Sequence, residues 1–149
     1  MTVMTVSQFH SLCRLAAHLE VDGNDLPRFS DLVTRVLFHL LLAAQASAAA
    51  HGRYTIEPAD LPITTGLQAS IRRYRTLDIP LDLDRILDQL AAHRPLDRIL
   101  ATDTLARVPD LVGGLTVTLA RTFAAAYPGR IHPHATDWEA IGAVANLYL

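Results

Sequence analysis

The chain repeats itself at an offset of 77 positions. Gly52-Arg53 and Gly129-Arg130 are each followed by six residues and then an aspartate, Asp60 or Asp137. The same offset takes Val6, Phe9 and Cys13 onto Leu83, Ile86 and Leu90, and Leu61 onto Trp138. At 149 residues, half of them apolar, the chain is the size of one domain and can bury a core of its own. The expected organisation is a single domain over 1–149, with a first repeat at 1–77 and a second, degenerate one at 78–149.

Hydrophobic periodicity makes the repeats helical. Val6, Phe9, Leu12, Cys13, Ala16 and Leu19 recur at steps of three and four, which predicts a short amphipathic helix capped by Ser7. Glu20 to Asp25 collects turn residues and reads as a loop, with Asp25 as the next cap. From Leu26 to about His51 a long helix is expected, with Pro27 in its first turn and Gly52 as its stop. Leu37 to Ala44 is apolar nearly all round, so that helix needs partners on several sides. Arg53 to Ile56 is β-prone, and Pro58 is expected to open another helix. The second half predicts a short helix from Asp82 to about Ala92, a break at Arg94-Pro95, a helical pattern interrupted at Pro109, a main helix from Pro109 to Tyr127, a break at Pro128-Gly129 and a last helix from Thr136 or Asp137 to the end. Gly113-Gly114 inside a helix costs about 1 kcal/mol each relative to alanine, which tight helix packing would explain.

Charge restricts the partners. All 13 basic residues are arginine, and 15 acids bring the net charge to −2. A non-specific DNA binder usually carries a strongly basic surface, because its affinity comes from neutralising phosphates. Any phosphate contact must therefore rest on a local arginine patch. No stretch has the layout of a secretory signal, and Val36 to Ala50 is too short and too interrupted to span a bilayer, so a cytoplasmic protein with no membrane role is expected. Cys13 is the sole cysteine and suits a reducing compartment.

An arginine leaving the long helix can reach an aspartate at the next helix start, where its fork fits the carboxylate and the helix N-terminus favours the charge. Arg53 with Asp60, and Arg130 with Asp137, are the expected structural salt bridges. The whole segment Ala48-Ala49-Ala50-His51-Gly52-Arg53-Tyr54-Thr55-Ile56-Glu57-Pro58-Ala59-Asp60-Leu61 resembles the end of an archaeal histone's central helix and its following loop. Across its length, including Val112-Gly113-Gly114-Leu115, the chain resembles a bacterial family of histone-fold doublets of poorly defined function.

That resemblance implies an all-α fold in which two tandem histone folds clasp as an intramolecular pseudodimer. It implies that Arg53 and Thr55 lie beside a DNA minor groove while Arg53 and Asp60 brace the loop. A histone-like protein at the nucleoid, touching duplex DNA through Arg53, Thr55 and Arg130 with Arg72, Arg73 and Arg75 in support, is the expected function. Two features weigh against it. The first loop, Glu20-Val21-Asp22-Gly23-Asn24-Asp25, would turn three acids toward phosphate, and Pro133, after His132 at the position matching Thr55, blocks the same strand pairing in the second repeat. The alternative is a histone-fold interaction module that pairs with itself or another protein without DNA.

Each of these residues also has a plainer role. Arg72, Arg73 and Arg75 suit a solvated helix end, which favours cations. His132-Pro133-His134 lacks the further ligands of a zinc site, so no metal is expected. His39, among leucines, reads as a core histidine, and Cys13 as a small buried hydrophobe. No phosphate-binding glycine loop or nucleophile elbow occurs, and neither an enzyme nor a cofactor is expected.

Overall fold

The computed structural model describes residues 2–149. The chain is mostly helical: α1 (Val6–Ala17), α2 (Asp25–Ala50), β1 (Thr55–Ile56), a 3-10 turn (Pro58–Asp60), α3 (Thr65–Thr76), α4 (Leu83–Leu90), β2 (Ile99–Leu100), α5 (Thr102–Ala126) and α6 (Asp137–Tyr148). The spacing read from the sequence carries into the fold. Val6 and Leu83, which open α1 and α4, are 77 positions apart, as are Asp25 and Thr102, which open α2 and α5.

Several boundaries differ from expectation, each for a local reason. Thr5, not Ser7, caps α1, because its hydroxyl accepts from the Gln8 amide at 3.1 Å while Gln8 accepts from the Thr5 amide at 2.9 Å, a reciprocal capping box. Asn24 takes the cap position of α2, and Asp25 is already helical with its carboxylate on the Asp22 amide. Pro58 opens only the 3-10 turn, and α3 starts at a separate cap, Thr64. Pro109 lies inside α5 instead of opening it. A proline there forfeits one helical bond. The earlier turns persist because the Ala101 amide and the Thr104 hydroxyl both donate to the Ile56 carbonyl, tying the helix start to β1.

Gly52 does end α2, with φ of 68°, and Gly129 with φ of 82° plays the same part after α5; L side chains rarely take that conformation. His39 is exposed, contrary to its reading as a core residue. Asp31, Arg35 and His39 recur every fourth residue and form the wet face of α2, while Leu37, Leu40, Leu41 and Ala44 are buried.

The two halves exchange partners. α1 and α3 of the first half pack on α5, and α4 and α6 of the second half pack on both α2 and α5. Aromatic rings from four helices meet in the core: Phe9 stacks on Phe29 at 4.8 Å, and Trp138 sits 5.7 Å from Phe29 and 5.5 Å from Phe123. Where α3 crosses α5, Tyr74 and Ile71 lie against Gly113 and Gly114, so the paired glycines do serve close helix packing. Cys13 is fully buried, and burial, helped by the charge of Asp25, pushes its thiol up to about 12, so it stays a protonated core residue.

Candidate functional site

Two loop clusters lie at the junctions between the halves, and they are built differently. At the first, β1 and β2 pair in parallel, Thr55 with Ile99 and Ile56 with Leu100. The Gln45 side-chain oxygen accepts from the Asp97 and Arg98 amides at 2.7 and 3.1 Å, which clamps the incoming loop to α2. Arg98 Nε then donates to the Arg53 carbonyl at 3.0 Å. One arginine from each half is thus held at the same surface, beside exposed Thr55 and Tyr54.

Arg53 is braced as expected. Its guanidinium donates to both Asp60 oxygens at 2.6 and 2.8 Å and approaches Glu57 at 3.3 Å. Asp60 is 5% exposed and also accepts from the Ser47 hydroxyl and the Glu57 amide. The Arg53 bond, with those two, holds the Asp60 carboxyl well below the usual carboxylate range, and the same bond raises Arg53.

Among the described residues the second cluster has no ladder. A single backbone bond, Glu20 N–H to the Ile131 carbonyl at 2.8 Å, stands where the first cluster has β1 and β2. Arg130 donates to both Asp137 oxygens at 2.8 Å and lies over the Tyr127 ring at 4.6 Å, and the His134 amide donates to the same carboxylate. Burial works against the ionised form of Asp137, yet the His134 amide and Arg130 outweigh it and hold its pKa below normal. The acids of the first loop do not all face outward. Asp25 is buried and accepts from Trp138 Nε1 at 3.2 Å, and Glu20 turns to His10 and Arg14 at 3.5 and 3.7 Å, which leaves Asp22 exposed.

The arginines at the end of α3 do not join either cluster. Arg73 donates to the Leu15 carbonyl and Arg75 binds Asp110, both anchoring α3 to its neighbours. Arg72 is exposed and, among the described residues, has no partner. Arg98 is a residue that the sequence does not single out, since a loop without periodicity does not reveal that it reaches Arg53. Among the described residues no three His, Cys, Asp or Glu side chains gather as a metal would require.

The depressed carboxyls make a pH prediction. Each folded-state pKa lies below the unfolded value of about 4, so the stabilisation is complete above that pH and is lost as pH falls through the folded pKa. Asp60→Asn should lower the urea midpoint at neutral pH and flatten its decline below about pH 4. An acid limb as steep as that of the native protein would remove Asp60 from this account.

A family model described as a domain of unknown function, DUF1931, matches residues 9–146. A crystal structure of a protein from Thermus thermophilus is 40% identical, covers 99% of each chain and superposes with a TM-score of 0.95. A crystal structure of a protein from Aquifex aeolicus, 21% identical over 96% of this chain and 94% of that one, has a TM-score of 0.79 and shares the fold. No curated protein matches the chain.

Proposed function

The chain belongs to the DUF1931 family, a domain of unknown function, and from that premise we propose a histone-like protein that grips the backbone of duplex DNA with its β1–β2 end. In this reading the two repeats are tandem histone folds clasped within one polypeptide. The exchange of helices between halves and the helix starts set 77 residues apart support it. The observation that carries the functional part is the meeting of Arg53 and Arg98, one from each half, on a paired and clamped loop. Arg53 keeps part of its surface open while Asp60 fixes its direction, so little rotamer freedom is lost when phosphate arrives.

Thr55 and the Arg98 guanidinium complete this contact, and Arg130 makes a weaker one at the opposite cluster. Arg72 adds long-range attraction only. Backbone contacts position a protein without reading sequence, so the preference among duplexes is small. With a net charge of −2, affinity rests mainly on this patch and falls with rising salt.

The test is a salt titration of duplex binding by the native protein and by Arg53→Gln with Arg98→Gln, with thermal melts to establish that both fold. Binding at about 50 mM salt is expected, and the double variant should reduce the slope of log K against log salt by about 2, one for each lost phosphate contact. Absence of binding at that salt, or an unchanged slope, overturns the reading.

One observation favours a second reading, an assembly module working inside the cell without DNA. Val144, Leu147 and Tyr148 on α6 are exposed, Leu147 to 86%. Sedimentation separates the two readings: a homo-oligomer that ignores duplex DNA supports assembly.

A further inference from the structure

A cavity of about 510 Å³ opens between α2, α4 and the segment leading into β2. Its walls are Phe38 and Leu41 from α2, Leu87 and Leu90 from α4, Leu100 from β2 and Leu105 from α5. Its size falls within the range of about 300–1,000 Å³ typical of small-molecule sites, and such sites combine an apolar body with a few placed polar groups.

The polar groups here are all of one kind. Arg94 and Arg98 line the cavity, His93 stacks on Phe38 at 4.7 Å, and no carboxylate is among the lining residues. Among the described residues neither arginine forms an ion pair. Arg98 spends only Nε on the Arg53 carbonyl, which leaves its two terminal nitrogens for a ligand. Arg14, Arg53, Arg75 and Arg130 each border an acid, whereas here apolar surface coincides with guanidinium groups free of ion pairs. Pocket shape is also held firmly, since the Gln45 clamp fixes Asp97 and Arg98 from the α2 side.

We propose that this cavity binds an apolar monocarboxylate, with its hydrocarbon body against Phe38 and the leucines and its carboxylate on Arg94 and Arg98. An aliphatic chain gains affinity by leaving water, and a guanidinium fork adds charge-assisted bonds that an uncharged analogue cannot make. The cavity shares Arg98 with the proposed phosphate contact, so Leu87→Trp, which leaves Arg53 and Arg98 in place, separates the two: it should weaken octanoate binding and leave duplex binding unchanged.

Calorimetric titration of the full chain with octanoate and, separately, with octanol tests it. Octanoate is expected to bind at concentrations below about 1 mM and about tenfold more tightly than octanol. Arg94→Gln with Arg98→Gln should abolish that tenfold preference and leave octanol binding in place. Leu87→Trp, at a half-buried position facing the cavity, should fill the apolar end and weaken both ligands at least about tenfold. Equal affinity of the acid and the alcohol for the native protein, or no octanoate binding at about 1 mM, overturns the proposal. So does octanoate affinity unchanged in folded Leu87→Trp.

Discussion

Phe29→Ala is expected to cost about 3–5 kcal/mol of stability, the usual range for removing a fully buried phenylalanine. Phe29 is completely enclosed, stacks on Phe9 and meets the Trp138 edge, so one substitution loosens α1, α2 and α6 together. Domains of this size are stable by only about 5–15 kcal/mol, and the variant should stand close to unfolding. Urea denaturation followed by circular dichroism and by Trp138 fluorescence checks both the amount and the place. A loss under about 1 kcal/mol would mean that the cluster is not the keystone of the packing.

The second large effect runs against helix propensity. Replacing a helical glycine by alanine ordinarily gains up to about 1 kcal/mol. At Gly113, however, the added Cβ would collide with the Tyr74 ring. That ring is wedged between helices, and its hydroxyl donates to the Ile79 carbonyl at 2.6 Å, so it cannot swing aside without losing the bond. Gly113→Ala should therefore destabilise by about 2 kcal/mol net, as overpacked cores do. Gly66→Ala is the matched control: an added Cβ there meets nothing within 4 Å, and the change should be neutral or stabilising by up to about 1 kcal/mol. Urea midpoints of the two variants decide the matter, and a gain of stability in both would mean that α3 and α5 cross with room to spare.

Helix identity was legible in the sequence wherever one face is apolar for several turns, as in α2, and wherever a glycine enforces a stop, as at Gly52. The Arg53–Asp60 and Arg130–Asp137 braces were legible for another reason, since both partners lie seven residues apart on one loop. What escaped depends on contacts between distant residues. β2 is two residues long and exists because β1 offers it a partner, and the helical pattern ahead of Pro109 joins the main helix without a break because Ile56 anchors its start. Likewise, Arg98 and Arg53 are 45 positions apart, and neither residue carries a local sign of the other. His39 misleads because composition and phase disagree there: its neighbours are leucines, but it falls on the outward spoke of the helix.

Partner exchange between unequal halves has an evolutionary consequence. When two identical chains clasp, every substitution appears at both ends of the assembly, and a gain at one is tied to any harm at the other. Here the ladder of β1 and β2 closes one end, while among the described residues the Glu20–Ile131 backbone bond closes the other. Each end can drift under its own selection, so the molecule has a head and a tail written into a single gene.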